Sequence, residues 1–256
     1  MRLFLPALAV VAVTALPGTA ASAHYLWAAI EKNQVRFALL ENANEAPNPR
    51  FETYVVGLAP RSGGKVLVLG SPRNGARYAA LPVGEGIVEA ERVLSVKERG
   101  GEAYLLAYHA KGAVSLAAAG TSTQASTEIL ARREGRTLIA TLRQNQRPVP
   151  QNEILVQWPG EEEPRSVRTD ANGEARINEL SGTSKAPNTL NMQNMPKTSE
   201  TLRTSGMPRG FVGIRAMVSE AKAGEAGGKK YASIHHWATL TFPVESLTTA
   251  KAAVKE

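Results

Sequence analysis

Cysteine is absent from all 256 residues. That excludes disulfides and thiolate ligands, so any bound metal must use His, Met, carboxylate or backbone groups. Histidine is scarce, with four in the chain: His24, His109, His235 and His236. Aromatic residues number only 3 Trp, 6 Tyr and 5 Phe, and no Lys/Arg cluster is interleaved with them as a base-stacking platform requires, which argues against nucleic acid. No run approaches the ~20 apolar residues of a membrane-spanning helix. Catalytic signatures are missing too: there is no G-x-S-x-G elbow, phosphate-binding loop, dinucleotide fingerprint or H-E-x-x-H. Asp170 stands in a turn with no histidine near it in sequence, and Glu161-Glu162-Glu163 precedes a proline in a solvent-facing turn. Hydrolysis is therefore poorly supported.

What is present begins at the N-terminus. Met1-Arg2 is followed by the apolar run Leu3 to Ala15, by Pro17-Gly18, and by small residues at Ala21 and Ala23. This is the order of a secretory signal peptide with an A-x-A cleavage site. Cleavage after Ala23 leaves 233 residues beginning at His24, enough for two domains with cores of their own. With no cysteine, the expected location is a bacterial periplasm or the secreted space. The formal charge of +7 reads as a solvated basic surface that suits an acidic envelope or anionic glycans.

Along the mature chain, short β segments separated by turn signals predict an all-β fold. Tyr25 to Ile30 and Gln34 to Leu40 flank the polar turn Glu31-Lys32-Asn33 as a hairpin. Thr53 to Leu58, Val66 to Leu69, Tyr78 to Leu81 and Tyr104 to His109 are further strand candidates, the last ended by Lys111-Gly112; Ile87 to Val96 reads as a strand or a short helix. Arg132-Arg133-Glu134-Gly135-Arg136 reads as a weak linker. Beyond it, Leu138 to Leu142, Glu153 to Trp158, Ser166 to Thr169 and Glu174 to Ile177 form a second β pattern. Asn172-Gly173 supplies the positive φ of a tight hairpin. Ser181 to Arg209 is rich in Ser, Thr, Asn and Pro and reads as a mobile loop. Phe211 to Val218 and Tyr231 to Val244 are the closing strands, with a loop at Ala221 to Lys230. The expected architecture is two Ig-like or Greek-key β-sandwich modules, 24–132 and 137–246, after a signal peptide at 1–23.

The histidines carry the chemistry. An N-terminal His24 offers an α-amine, with a pKa near ~7.7–8, together with a ring nitrogen, a chelate for Cu(II). Adjacent strand residues point to opposite faces, so His235 and His236 do not pair on one metal. Either one meets His24 if the first and last strands are neighbours, giving the three nitrogens of a histidine brace. Against this stands the plain reading of a buried structural His236 and an exposed His235. His109, at the end of an apolar strand, is the weaker candidate. Met192, Met195 and Met207 have a thioether spacing that suits Cu(I).

Three pieces resemble one family. His24-Tyr25-Leu26-Trp27 is similar to the AH-x-x-W start of a bacterial periplasmic family formerly described as NikM-like nickel/cobalt uptake components. Tyr104 to Gly112 resembles its mid-chain strand. His236-Trp237-Ala238-Thr239-Leu240-Thr241-Phe242 resembles its closing H-Y-A-T-L-T-F strand, with Trp237 in place of the usual Tyr. Pro148-Val149 and Thr169-Asp170-Ala171-Asn172-Gly173 resemble the signature of carboxypeptidase-regulatory-like β-sandwich modules, although Gln146 stands where that signature has glycine. The resemblance implies two β-sandwich modules, export and an association with transition metals; position by position it carries over His24 and His236.

The expected function is an exported, non-enzymatic metal-binding protein that handles copper, nickel or cobalt, as Cu(II) or alternatively Ni(II) or Co(II), with a membrane metal transporter as partner. The rival reading is a structural or carbohydrate-binding β-sandwich of the cell envelope. A third is a histidine-brace copper monooxygenase, disfavoured by the scarcity of aromatics for a flat glycan.

Overall fold

The computed structural model describes residues 24–178 and 210–247. The signal region 1–23 and the loop expected at 181–209, with its three methionines, lie outside the described residues.

The chain is all-β and sandwich-like. The first half holds β1 (Tyr25–Glu31), β2 (Gln34–Leu40), β3 (Arg61–Ser62), β4 (Lys65–Val66), β5 (Ala76–Ala80), β6 (Ile87–Arg99) and β7 (Glu102–Ala113). The middle holds β8 (Thr127–Glu134), β9 (Thr137–Gln144), β10 (Arg147–Pro148), β11 (Glu153–Gln157), β12 (Arg165–Arg168) and β13 (Glu174–Asn178). The last part holds β14 (Phe211–Glu220), β15 (Gly224–Ala226), β16 (Lys229–Tyr231) and β17 (Ser233–Pro243). Two single-turn helices, α1 (Glu52–Val55) and α2 (Leu116–Ala119), interrupt them.

Eight strands form one sheet in the order β12-β11-β14-β17-β7-β6-β3-β4. Its seam is the parallel pair β17 and β7; the other neighbours are antiparallel. Strands from both halves of the chain therefore share a sheet. The linker expected at Arg132 to Arg136 is the tip of the antiparallel β8–β9 hairpin, polar because it is a turn in solvent and not because a domain ends there.

Each face of the large sheet is covered by a smaller one. On one face, β8, β9 and β13 close over a core that includes Ile129, Leu138, Leu142, Ile154, Ile214, Leu240 and Phe242. On the other, the β1-β2-β5 sheet buries Leu26, Ala28, Val35 and Phe37 against Val88, Leu106 and Tyr108. The alternation of β17 decides what each face receives: Ala238, Leu240 and Phe242 enter the first core, while Trp237 packs into the second.

Strand β1 lies close to the sheet it covers. Thr239 Oγ1 donates to the Leu26 carbonyl at 2.6 Å, and Thr241 Oγ1 donates to that of Ala28. Gly112 of β7 faces the same carbonyl, and a Cβ there would stand 2.5 Å from the Ala28 oxygen. Trp27 is buried, and its indole N–H donates to the Leu40 carbonyl at 3.1 Å.

Several local expectations fail. β4 ends at Val66, so Val66 to Leu69 is not a strand, and the loop expected at Ala221 to Lys230 holds the β15–β16 hairpin. Thr53 to Leu58 is not a strand: Asn48 caps the turn at Pro49, its Oδ1 accepting from the Arg50 N–H at 3.0 Å, and the chain continues into α1. A cap and a proline at the first turn override the β-branched residues that follow. Lys111-Gly112 does not end β7, which continues to Ala113, because Lys111 is buried with its own partners. Its ammonium donates to the Ala119 and Thr121 carbonyls at 3.3 and 2.5 Å and lies 3.7 Å from the Glu128 carboxylate. Burial nevertheless pulls the Lys111 amine down to about 8, against the opposing pull of Glu128.

Candidate metal centre

Four adjacent strands, β6, β7, β17 and β14, each contribute one residue to a polar row on the same face of the large sheet. Glu91 stands directly opposite His109 in the β6–β7 register. His109 is opposite Ala238 on β17, so His236 lies two residues off, on the diagonal. Glu220 of β14 is opposite Ile234, again two residues from His236. Diagonal neighbours on one face are within reach of long side chains.

They form a hydrogen-bonded row. Glu91 Oε1 is 3.0 Å from His109 Nδ1, His109 Nε2 is 2.9 Å from His236 Nδ1, and His236 Nε2 is 3.0 Å from Glu220 Oε2. Both imidazoles are buried, at 6% and 7% exposure, while the carboxylates reach the surface at either end. Glu91 also accepts from the Ser126 N–H at 3.2 Å and lies on the wall of an open cleft of about 320 Å³ shared with Arg61, Glu89 and Gln124.

Counting protons shows what the row can do. Three links need three protons, and two neutral imidazoles bring only two. If both outer nitrogens donate to carboxylates, the two inner nitrogens present lone pairs to each other. A cation must then stand between them, a proton or a metal ion. The hydrogen bond from His109 holds the Glu91 carboxyl below its usual range. Burial pushes the His236 imidazole below its ordinary value, with Glu220 pulling the other way. A carboxylate behind each imidazole is also the arrangement that fixes tautomer and orientation in metal-ligating histidines.

The remaining histidines are elsewhere. The ring of His24 packs on Phe51, centroids 4.0 Å apart, and its carbonyl accepts from the Tyr108 hydroxyl at 2.8 Å. Tyr108 belongs to the core beneath β1, so His24 lies on the face of the large sheet opposite His236. Strand β1 packs across β17 from the smaller sheet without pairing with it, and the face of β17 that it crosses is the one carrying Trp237, Thr239 and Thr241. His236 therefore pairs with His109 and not with His24. His235 stacks on Tyr104, centroids 4.0 Å apart, and burial lowers its pKa. Glu91 and Glu220 were not singled out from the sequence. Glu91 lies in Val88-Glu89-Ala90-Glu91, whose alternation reads as a solvated polar face; only the strand register shows that histidines stand beside it.

Among the described residues, no group of three or more His, Asp or Glu side chains converges to hold a metal ion. The row is linear, and each carboxylate meets the ring nitrogen that faces away from the pair.

No family profile matches the chain, and no curated protein matches it in sequence. One solved structure, the crystal structure of a tetra-tandem repeat in the extending region of a large adhesion protein, is 12% identical over 86% of this chain. The match covers 49% of that structure, so the chain spans about half its length, and the TM-score of 0.21 carries no argument about fold or function. No helix among the described residues is long and apolar enough to cross a membrane.

Proposed function

We propose that this is an exported, non-enzymatic protein that binds a transition-metal ion between His109 and His236, for periplasmic metal handling or delivery to a transporter. One observation carries the reading: two buried imidazole nitrogens face each other at 2.9 Å while the opposite nitrogen of each ring meets a carboxylate. An isolated structural histidine needs one partner, whereas this arrangement aims two ring nitrogens at each other, each ring oriented by a carboxylate behind it as in metal-ligating histidines. Nitrogens that ligate one ion at ~2 Å each stand up to ~4 Å apart, so loading requires the rings to separate by up to about 1 Å. The charged start, apolar run and A-x-A site support export.

The test is equilibrium dialysis without oxygen against Cu(I), and in parallel against Cu(II), Ni(II) and Co(II), followed by metal analysis, on the wild type and on His24→Ala, His235→Ala, His109→Ala and His236→Ala. Retention by wild type, His24→Ala and His235→Ala, with loss in the other two at preserved circular dichroism, is the expected pattern. If none of the metals is retained, the row is structural and the envelope β-sandwich reading takes its place. Loss only in His24→Ala puts the ion at the N-terminus.

A further inference from the structure

We infer that the His109–His236 slot takes a two-coordinate monovalent d10 ion, Cu(I), or Ag(I) as its redox-inert counterpart, and not Ni(II), Co(II) or Cu(II). The inference rests on the metal-binding reading above and narrows its ion class to a monovalent ion in place of the expected divalent one.

Donor supply decides it. Ni(II) and Co(II) complete four to six positions, and Cu(II) a tetragonal set, so each needs at least two ligands beyond an imidazole pair. None of the described residues around the pair has one to give. Glu91 and Glu220 are occupied on the far nitrogens of the two rings, and turning either inward would break the bond that orients its histidine. Along β7 on the same face, the residues flanking His109 are Ala107 and Lys111, and Lys111 brings a cation already held by two carbonyls and Glu128. Along β17, His236 is flanked by Ile234 and Ala238, both apolar. At 6% and 7% exposure the two rings leave little access for the waters a divalent ion would use instead. No cluster of three ligating side chains forms among the described residues. Two neutral imidazoles and an apolar surround satisfy a linear or bent two-coordinate ion and leave a divalent one under-coordinated. The ion displaces the proton of the inner hydrogen bond to solvent and binds both inner lone pairs, with the two outer bonds kept.

The experiment uses the purified protein, without oxygen, titrated with Cu(I) presented as its coloured bicinchoninate complex, and in parallel with Ni(II), Co(II) and Cu(II). X-ray absorption of the copper-loaded wild type gives the coordination number with no substitution. The expected result is withdrawal of one Cu(I) per chain and the strong pre-edge feature of two-coordinate Cu(I). Competition by Ag(I) is expected, with no retention of Ni(II) or Co(II). His236→Gln, which removes the second imidazole, should abolish the withdrawal, while His235→Gln should not. Three- or four-coordinate copper, or a divalent ion held by the same two histidines, overturns the inference and leaves the metal-binding reading standing. Absence of binding by every ion, Cu(I) included, overturns both.

Discussion

Replacing Gly112 by alanine tests whether β1 lies as close to the large sheet as described. The added Cβ would stand 2.5 Å from the Ala28 carbonyl oxygen and 3.1 Å from its carbon, where ordinary contact begins near 3.4 Å. Both partners are backbone, so no side-chain rotation relieves the clash, and β1 must retreat by about 1 Å. Overpacking of this kind costs about 1–3 kcal/mol. The retreat also stretches the buried bond from Thr241 to the same carbonyl, worth about 1–3 kcal/mol if left unmade. Alanine recovers about 0.5–1 kcal/mol of the backbone entropy that glycine loses on folding. The net expectation is a loss of about 1–5.5 kcal/mol, or ~2–22 °C in Tm for a chain of this size. Urea unfolding followed by circular dichroism reads it as a lowered midpoint at unchanged slope. Gly70→Ala is the control, since its Cβ would find only an ordinary 3.5 Å contact with the Tyr78 carbonyl. A loss below ~0.5 kcal/mol for Gly112→Ala, equal to the control, would refute the close crossing of β1 over β7.

Other outcomes follow from the same structure. The folded His236 imidazole has a lowered pKa, so between that value and ~6.5 the unfolded chain binds more protons and stability falls as pH falls. Glu91, held below its reference value of 4.5, adds a further loss as pH drops through its folded value. Thermal melts from pH 7 down to about 2 should show the His236 loss below ~6.5 and the Glu91 loss below 4.5, and a Tm independent of pH below 6.5 would contradict the row. Lys111 acts at the other end: folded at about 8 against 10.5 in the unfolded chain, it makes stability rise with pH between those values. Lys111→Met should remove that rise, and an unchanged rise would assign it elsewhere. Trp27→Ala should cost about 3–5 kcal/mol, as for other fully buried large side chains, and a loss under 1 kcal/mol would mean that the cavity collapses at little cost.

The sequence carried the elements that local chemistry specifies. The turn at Glu31-Lys32-Asn33 separates two strands in register from Tyr25↔Leu40 to Glu31↔Gln34. At Asp170 to Glu174, the Asp170 carboxylate accepts from the Asn172 and Glu174 N–H groups at 2.8 and 2.9 Å and closes a turn where one was expected, but not the expected hairpin: β12 pairs with β11 and β13 with β9, so the turn links two sheets. What it did not carry depends on partners far away in sequence. The parallel seam joins residues about 130 apart, as His236↔Ala107 shows, and no local pattern announces it. That seam places His109 beside His236 and brings strands of both expected modules into one sheet. The alternation of β17 correctly separated His235 from His236, but which of those faces β1 would cover was not written in the strand itself. Glu220 was invisible for a related reason: a carboxylate at a strand end reads as solvated until its diagonal neighbour is known.

The most direct measurement is a long-range proton–nitrogen NMR spectrum of the nitrogen-15-labelled protein, which resolves both ring nitrogens of all four histidines, before and after one equivalent of Ag(I). Metal binding at the slot predicts that His109 Nε2 and His236 Nδ1 shift together, that Nδ1 of the first and Nε2 of the second stay protonated, and that His24 and His235 do not move. Shifts confined to His24 or His235, or four unchanged histidines, would contradict it.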